Sequence, residues 1–137
     1  MLRTLVSNAG IELSVVVAPE LAGVTVNVDE ALIRHVFMNL LANAVKYSRP
    51  RGIITLEAAP DAAGFVRFSV RDQGRGIPAA SLGRVFDRFC RAANQDSHTG
   101  AGLGLAIARE IVVAHGGSID CSSVEGEGTD FHFVLPR

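Results

Sequence analysis

Four residues in one stretch of the chain have side chains suited to a charged, planar ligand. If residues 30–48 are helical, Asn39, Asn43, Lys46 and Tyr47 fall, at about 100° per residue, within one arc of roughly 100°. An amide oxygen, an ammonium and an aromatic ring then face the same side, away from Phe37, Leu41, Ala44 and Val45. Asparagines are poor residues for a helix interior because their side chains compete for backbone hydrogen bonds. The stripe therefore reads either as a solvated face or as one wall of a binding site.

Three further clusters carry chemistry. Asp72-Gln73-Gly74-Arg75-Gly76-Ile77 puts an acceptor-only carboxylate at the end of a strand, followed by glycines that let backbone approach a flat ligand closely. Alone it is also an ordinary turn sequence. Gly100-Ala101-Gly102-Leu103-Gly104-Leu105 opens a second helix, where free N–H groups and the positive end of the helix dipole suit a phosphate. It lacks the preceding strand and spacing of a Rossmann fingerprint and the Lys-Ser/Thr of a P-loop, and a ligand-free hinge would look the same. Phe86-Asp87-Arg88-Phe89-Cys90-Arg91 has a phenylalanine pair suited to core packing and two arginines that are either solvated or available to phosphate.

The elements that must position these residues follow from periodicity. Residues 11–17 read as a strand and 24–28 as a short second extended segment. Asp29 is an N-cap before apolar residues at helical spacing from Leu32 to Val45, and Pro50 ends that helix near Ser48. Residues 53–59 and 65–71 form a hairpin through Pro60–Gly64. A short helix is expected near 79–88, a polar aperiodic loop over 91–101, and a helix over 102–114 closed by Gly116-Gly117. Strands at 118–123 and 129–135 form a final hairpin. The order β, α, ββ, α, loop, α, ββ predicts an α+β domain with helices on one face of a mostly antiparallel sheet.

Composition narrows the function. The 137 residues suit one domain, with residues 1–9 set apart as a remnant of a preceding linker. A 48% apolar content excludes disorder, and 13 Lys+Arg against 14 Asp+Glu is too balanced for a dedicated nucleic-acid binder. Cys90 and Cys121 have no zinc or disulfide spacing, which points to a reducing cytoplasm. His35, His98, His115 and His132 are scattered and read as surface or helix-face residues. Neither a signal peptide nor a run of 18 apolar residues is visible, so no membrane contact is expected.

Taken together and in order, the clusters resemble the catalytic, ATP-binding domain of bacterial sensor histidine kinases, from about Gly10 to Arg137. Asn39 to Ser48 looks like the family's N box, Asp72 to Ile77 like the first glycine box and Phe86 to Arg91 like the F box. Gly100 to Leu105 looks like the second glycine box, and Gly126-Glu127-Gly128-Thr129-Asp130-Phe131 through Pro136 like the terminal hairpin. The resemblance implies a Bergerat fold, a two-layer α/β sandwich whose sheet is covered on one face by three helices, with a mobile ATP lid at 91–101. It also implies ATP and Mg²⁺ as ligands. Asn39, Asn43 and Lys46 would be the catalytic residues, with Asn43 on the metal. Lys46, Arg88 and Arg91 would meet phosphates, and Tyr47 would line the nucleoside side. Asp72 would accept from the adenine amine beside Gly74, Gly76 and Ile77, with Thr129 nearby through a water. Gly100, Gly102, Leu103, Gly104 and Leu105 would hold the phosphate chain.

Type II topoisomerases and mismatch-repair ATPases carry a Glu base four residues before the magnesium Asn. Asn39 stands there, which argues for phosphoryl transfer to a protein histidine and slow hydrolysis. The family's histidine-bearing helical hairpin is absent, so the expected partners are that dimerisation and phosphoacceptor domain and a response regulator. The chain itself should be monomeric and unable to autophosphorylate. Ala101 replaces a common Thr or Ser, and Cys90 a common Tyr, which bears on affinity. An anti-sigma-type serine kinase and a nucleotide-binding module without catalysis are the alternatives.

Overall fold

Parallel strands cannot be joined by a tight turn and need a crossover of a dozen or more residues. In the computed structural model, which describes residues 11–47, 52–77, 85, 86 and 103–137, such a crossover sets the layout. Strand β1 (Glu12–Val17) pairs in parallel with β2 (Ile53–Pro60), and the connection carries a 3-10 turn at Pro19–Leu21 and helix α1 (Glu30–Tyr47). β2 returns antiparallel as β3 (Phe65–Asp72), with Gly64 at φ 84° in the turn. Helix α2 (Leu103–Ala114) leads into a second hairpin, β4 (Ser118–Val124) and β5 (Gly128–Pro136). β5 lies against β3, giving one mixed sheet in the order β1-β2-β3-β5-β4.

Both described α-helices pack on one sheet face around a single core, as a two-layer sandwich requires. The helix expected near 79–88 lies outside the described residues except for Val85 and Phe86, which form a turn, and so does the loop at 91–101. One expectation is corrected. Residues 24–28 are not a strand despite their alternation: the Val24 N–H bonds back to Leu21 O at 2.9 Å, and the segment links the sheet layer to the helix layer.

Helix α1 begins as its sequence dictates. Asp29 Oδ1 accepts the Leu32 N–H at 3.2 Å, Glu30 sits at the positive end of the dipole and Lys46 at the negative end. Ile33, Val36, Leu40, Leu41 and Ala44 recur at helical spacing and are all buried. Phe37 reaches across to Phe68 and Phe133, ring centroids 5.8 and 5.3 Å away in edge-on geometry. Helix α2 ends in a Schellman motif: Gly116 adopts φ 83°, its N–H bonds Val113 O, and the Gly117 N–H bonds Val112 O. The cap residue His115 ties the two helices together. Its Nδ1–H donates to Ile111 O at 2.8 Å, while Nε2 accepts the Asp29 N–H at 3.0 Å.

The other sheet face is polar. Arg71 on β3 spans Glu57 on β2 and Asp130 on β5, a ladder of charges on a solvated surface that contributes little to stability.

Candidate functional site

The insertion of β5 beside β3 brings the first glycine turn against the terminal hairpin. Asp72, the last residue of β3, lies directly opposite Thr129 in the β3–β5 register. Both point to the helix side and are almost fully buried, at 6% and 4% exposure. Asp72 Oδ1 accepts the Gly74 N–H at 2.8 Å. Its other oxygen, Oδ2, is buried and has no hydrogen-bond partner among the described residues. Burial pushes the Asp72 pKa above the ordinary carboxylate value, and the backbone N–H groups of Gly74 and Thr129 pull it part of the way back. A buried acceptor left open in this way is costly unless a donor arrives.

The glycine turn is held by close backbone approach. Gly76 has φ 73°, and a Cβ there would lie 2.5 Å from Val124 O. The Gly126 N–H reaches Arg75 O at 2.7 Å, and the Ile77 N–H donates to Ser123 Oγ at 2.8 Å. Gly128 closes the arrangement from the other side, since a Cβ there would collide with the backbone oxygen of Asp72. Gly126 and Gly128, which sequence reasoning treats as hairpin glycines only, therefore also clamp the Asp72 turn. An open hollow of about 300 Å³ at these strand ends is bordered by Asp72, Ser123 and Thr129 and, from the polar sheet face, by Arg71, Ser122 and Asp130.

A second contact joins the two helices. Asn39 Nδ2 donates to Gly104 O at 3.0 Å, which ties α1 to the first turn of α2. One turn on, Asn43 Nδ2 donates to Asn39 O at 2.9 Å. Its amide oxygen, Oδ1, is thereby turned into the atom available to a hard cation. Lys46 follows in the last turn of α1. Among the described residues no group of three or more His, Cys, Asp and Glu could form a metal cage, so a cation here would depend on one or two protein oxygens and a ligand's own.

Of the sequence-predicted site residues, Asn39, Asn43 and Gly104 meet in one place, and Asp72, Gly74, Gly76, Ile77 and Thr129 in another. Ile77 is buried in the core and Leu105 packs against it. Phe86 also packs inward, 6.4 Å edge-on from Phe131, which supports the core reading of the phenylalanine pair for that residue. Arg88, Arg91, Gly100 and Gly102 lie outside the described residues, as do the side chains of Tyr47 and Leu103. Sequence reasoning missed Ser123, which looks like any polar strand residue, and the interhelical role of His115. Cys121 is chemically quiet, its thiol pushed up to about 12 by burial and by the charges of Asp120, Asp130 and Asp72.

The geometry has counterparts among known proteins. The model of the histidine kinase-, DNA gyrase B-, and HSP90-like ATPases matches residues 28–137, so the chain belongs to that family. Within the family its likeness is to the catalytic domains of sensor histidine kinases. The adaptive-response sensory kinase SasA of Synechococcus elongatus is 39% identical over 112 residues, covering 82% of this chain and 29% of that protein. The sensor histidine kinase WalK of Bacillus subtilis is 43% identical over 114 residues, 81% of this chain and 19% of its own. The chain thus spans less than a third of the length of these curated relatives. A mycobacterial sensor histidine kinase, MprB, superposes with a TM-score of 0.81 at 32% identity over 98% of this chain and 92% of its own. Full-length ShkA, solved in complex with AMPPNP, does so with a TM-score of 0.79 at 32% identity, over 98% and 29%. Among the described residues no helix is long and apolar enough to cross a membrane.

Proposed function

We propose that the chain binds Mg-ATP and transfers the γ-phosphoryl group to a histidine on a separate dimerisation and phosphoacceptor domain, in two-component signalling. The observation that carries this reading is the buried, unpartnered Asp72 oxygen beside a glycine turn. Adenine's exocyclic amine supplies the donor this oxygen lacks. The residues present also fit a divalent cation: Asn43 Oδ1 would hold Mg²⁺, which when bound neutralises charge on the phosphate oxygens. Lys46 and the N-terminus of α2, with Gly104 in its first turn, would face the phosphates. Leu105, Tyr47, Gly100, Gly102, Leu103, Arg88 and Arg91 would complete the site the resemblance implies.

Asn39 acts here as a positioning residue. A neutral amide whose Nδ2 is committed to Gly104 O cannot take a proton from water, so hydrolysis is slow. An imidazole nitrogen is a sufficient nucleophile, attacking the γ-phosphorus as ADP leaves. The likeness to sensor kinases, one of them solved with an ATP analogue, supports the reading. The domain would work as a cytoplasmic monomer, engaging its acceptor hairpin upstream of a response regulator.

The test mixes the chain with γ-labelled ATP, Mg²⁺ and a dimeric helical hairpin bearing the acceptor histidine. Acid-labile label should appear on the hairpin and none on the chain alone. Nucleotide binding without transfer would replace the kinase with a binding module, and, in a parallel mixture with a small regulatory protein in place of the hairpin, label on its serine would favour the serine-kinase alternative. Rapid multiple-turnover phosphate release by the chain alone would overturn the role given to Asn39.

A further inference from the structure

Ser123 sits on β4 where three hydrogen bonds converge on one hydroxyl. Oγ accepts the Ile77 N–H at 2.8 Å, lies 2.8 Å from Gly128 O and lies 3.1 Å from Thr129 Oγ1. A hydroxyl has one proton and two lone pairs. Gly128 O is a carbonyl and can only accept, so the Ser123 proton goes there. One lone pair takes the Ile77 N–H. The remaining lone pair faces Thr129, and that contact forms only if the Thr129 O–H is the donor.

The consequence falls on Thr129. Its single proton is directed to Ser123, so toward the pocket Thr129 Oγ1 can only accept. Beside it, directly across the strand pair, stands the unpartnered Asp72 oxygen, another acceptor. We infer that Ser123 is a specificity-determining positioning residue: by fixing the direction of the Thr129 hydroxyl it makes this edge of the pocket acceptor-only, which selects a base presenting an amine and disfavours one presenting a carbonyl. The inference rests on the adenine site proposed above and adds a residue that touches no nucleotide.

Adenine and hypoxanthine differ along this edge, an amine beside an accepting N1 in one and a carbonyl beside an N1–H in the other. Each base keeps its own N1 in every variant, so the change of the ratio between variants reads the direction of the Thr129 hydroxyl, and ADP and inosine diphosphate are the probes. Calorimetric Kd values for both are measured on the wild-type chain, Ser123→Ala and Ser123→Thr. In Ser123→Ala the Thr129 proton is released and can turn to the hypoxanthine carbonyl. The Kd ratio of inosine diphosphate to ADP should then fall by about tenfold, one neutral hydrogen bond. Ser123→Thr keeps the hydroxyl and should keep the ratio. In the nucleotide-free protein, amide exchange at Ile77 should accelerate in Ser123→Ala and stay slow in Ser123→Thr. Equal weakening of both nucleotides, leaving the ratio unchanged, would reduce Ser123 to a structural residue and overturn the inference, as would unaltered Ile77 exchange. Wild-type protein that binds no ADP removes the proposed function and this inference together, whereas binding with an unchanged ratio removes only the inference.

Discussion

Replacing Asp72 with Asn changes one atom at the centre of the proposed adenine site. The amide oxygen can still accept the Gly74 N–H, which now bonds Oδ1 at 2.8 Å, so the local turn survives. The NH₂ group then occupies the position of the unpartnered Oδ2 and opposes the adenine amine, donor against donor. A hydrogen bond to a charged acceptor contributes about 1.5–3 kcal/mol, so the loss should be near 2.7 kcal/mol, roughly a hundredfold in Kd. At ADP equal to about 100 times the wild-type Kd, wild type gains about 2.7 kcal/mol of stability and the variant about 0.4. With about 3–4 °C per kcal/mol for a chain of this size, the ADP-induced rise in Tm should fall from about 9 °C to about 1–2 °C. The nucleotide-free variant should melt no lower than wild type, because a desolvated carboxylate has been replaced by a neutral group. The pH dependence follows from the raised pKa. Folded Asp72 holds its proton more tightly than the unfolded chain does, so its stabilisation is present below the ordinary carboxylate pKa. That stabilisation is lost as pH rises through the folded value, and the variant should lack this slope. Equal ADP shifts in wild type and variant would refute the adenine assignment. A large fall in the nucleotide-free Tm would show that Asp72 holds the fold instead.

Asn43→Ala should leave metal-free ADP binding within about twofold and abolish the enhancement by Mg²⁺, measured by titration with and without chelator; an undiminished Mg²⁺ effect would move the cation elsewhere. Gly76→Ala forces a side chain onto φ 73° and into Val124 O, and should destabilise the fold by about 2–4 kcal/mol in urea unfolding, where a loss under about 0.5 kcal/mol would contradict the clamp. Cys121, its thiol held up at about 12, should resist a disulfide reagent at pH 8 in a Cys90→Ser background and react at once when the chain is unfolded. The same raised pKa means that its contribution to stability declines as pH rises above the usual thiol range, so alkaline unfolding should come later in Cys121→Ala if packing is kept.

Local rules made most elements legible. The Asp29 cap, the apolar face of α1, the two hairpins and the glycine cap of α2 each depend on residues within a few positions of one another, and each lies where the sequence puts it. The failure at 24–28 has the same root. Alternation shows that a segment could lie on a sheet, but not whether a strand edge is open to receive it, and β2 takes β1 instead. The pairing of β3 with β5 is a long-range choice that no periodicity encodes, yet the site depends on it, because it sets Asp72 opposite Thr129.

Ser123 shows why part of a site stays invisible in sequence. Its residue type is common in strands, its spacing matches no pattern, and its neighbours Ser122 and Val124 are unremarkable. Its significance comes from partners 46, 5 and 6 residues away, brought together only after both hairpins and the glycine turn are in place. A motif identifies the groups able to touch a ligand, here Asp72 and Thr129. The direction in which the Thr129 hydroxyl can donate is decided by how many protons its neighbours have to give, and that count exists only in the fold. Specificity between an amine and a carbonyl at this edge therefore depends on a residue outside every recognisable motif, and replacing Thr129 while keeping Ser123 would not reproduce the effect of replacing Ser123 alone.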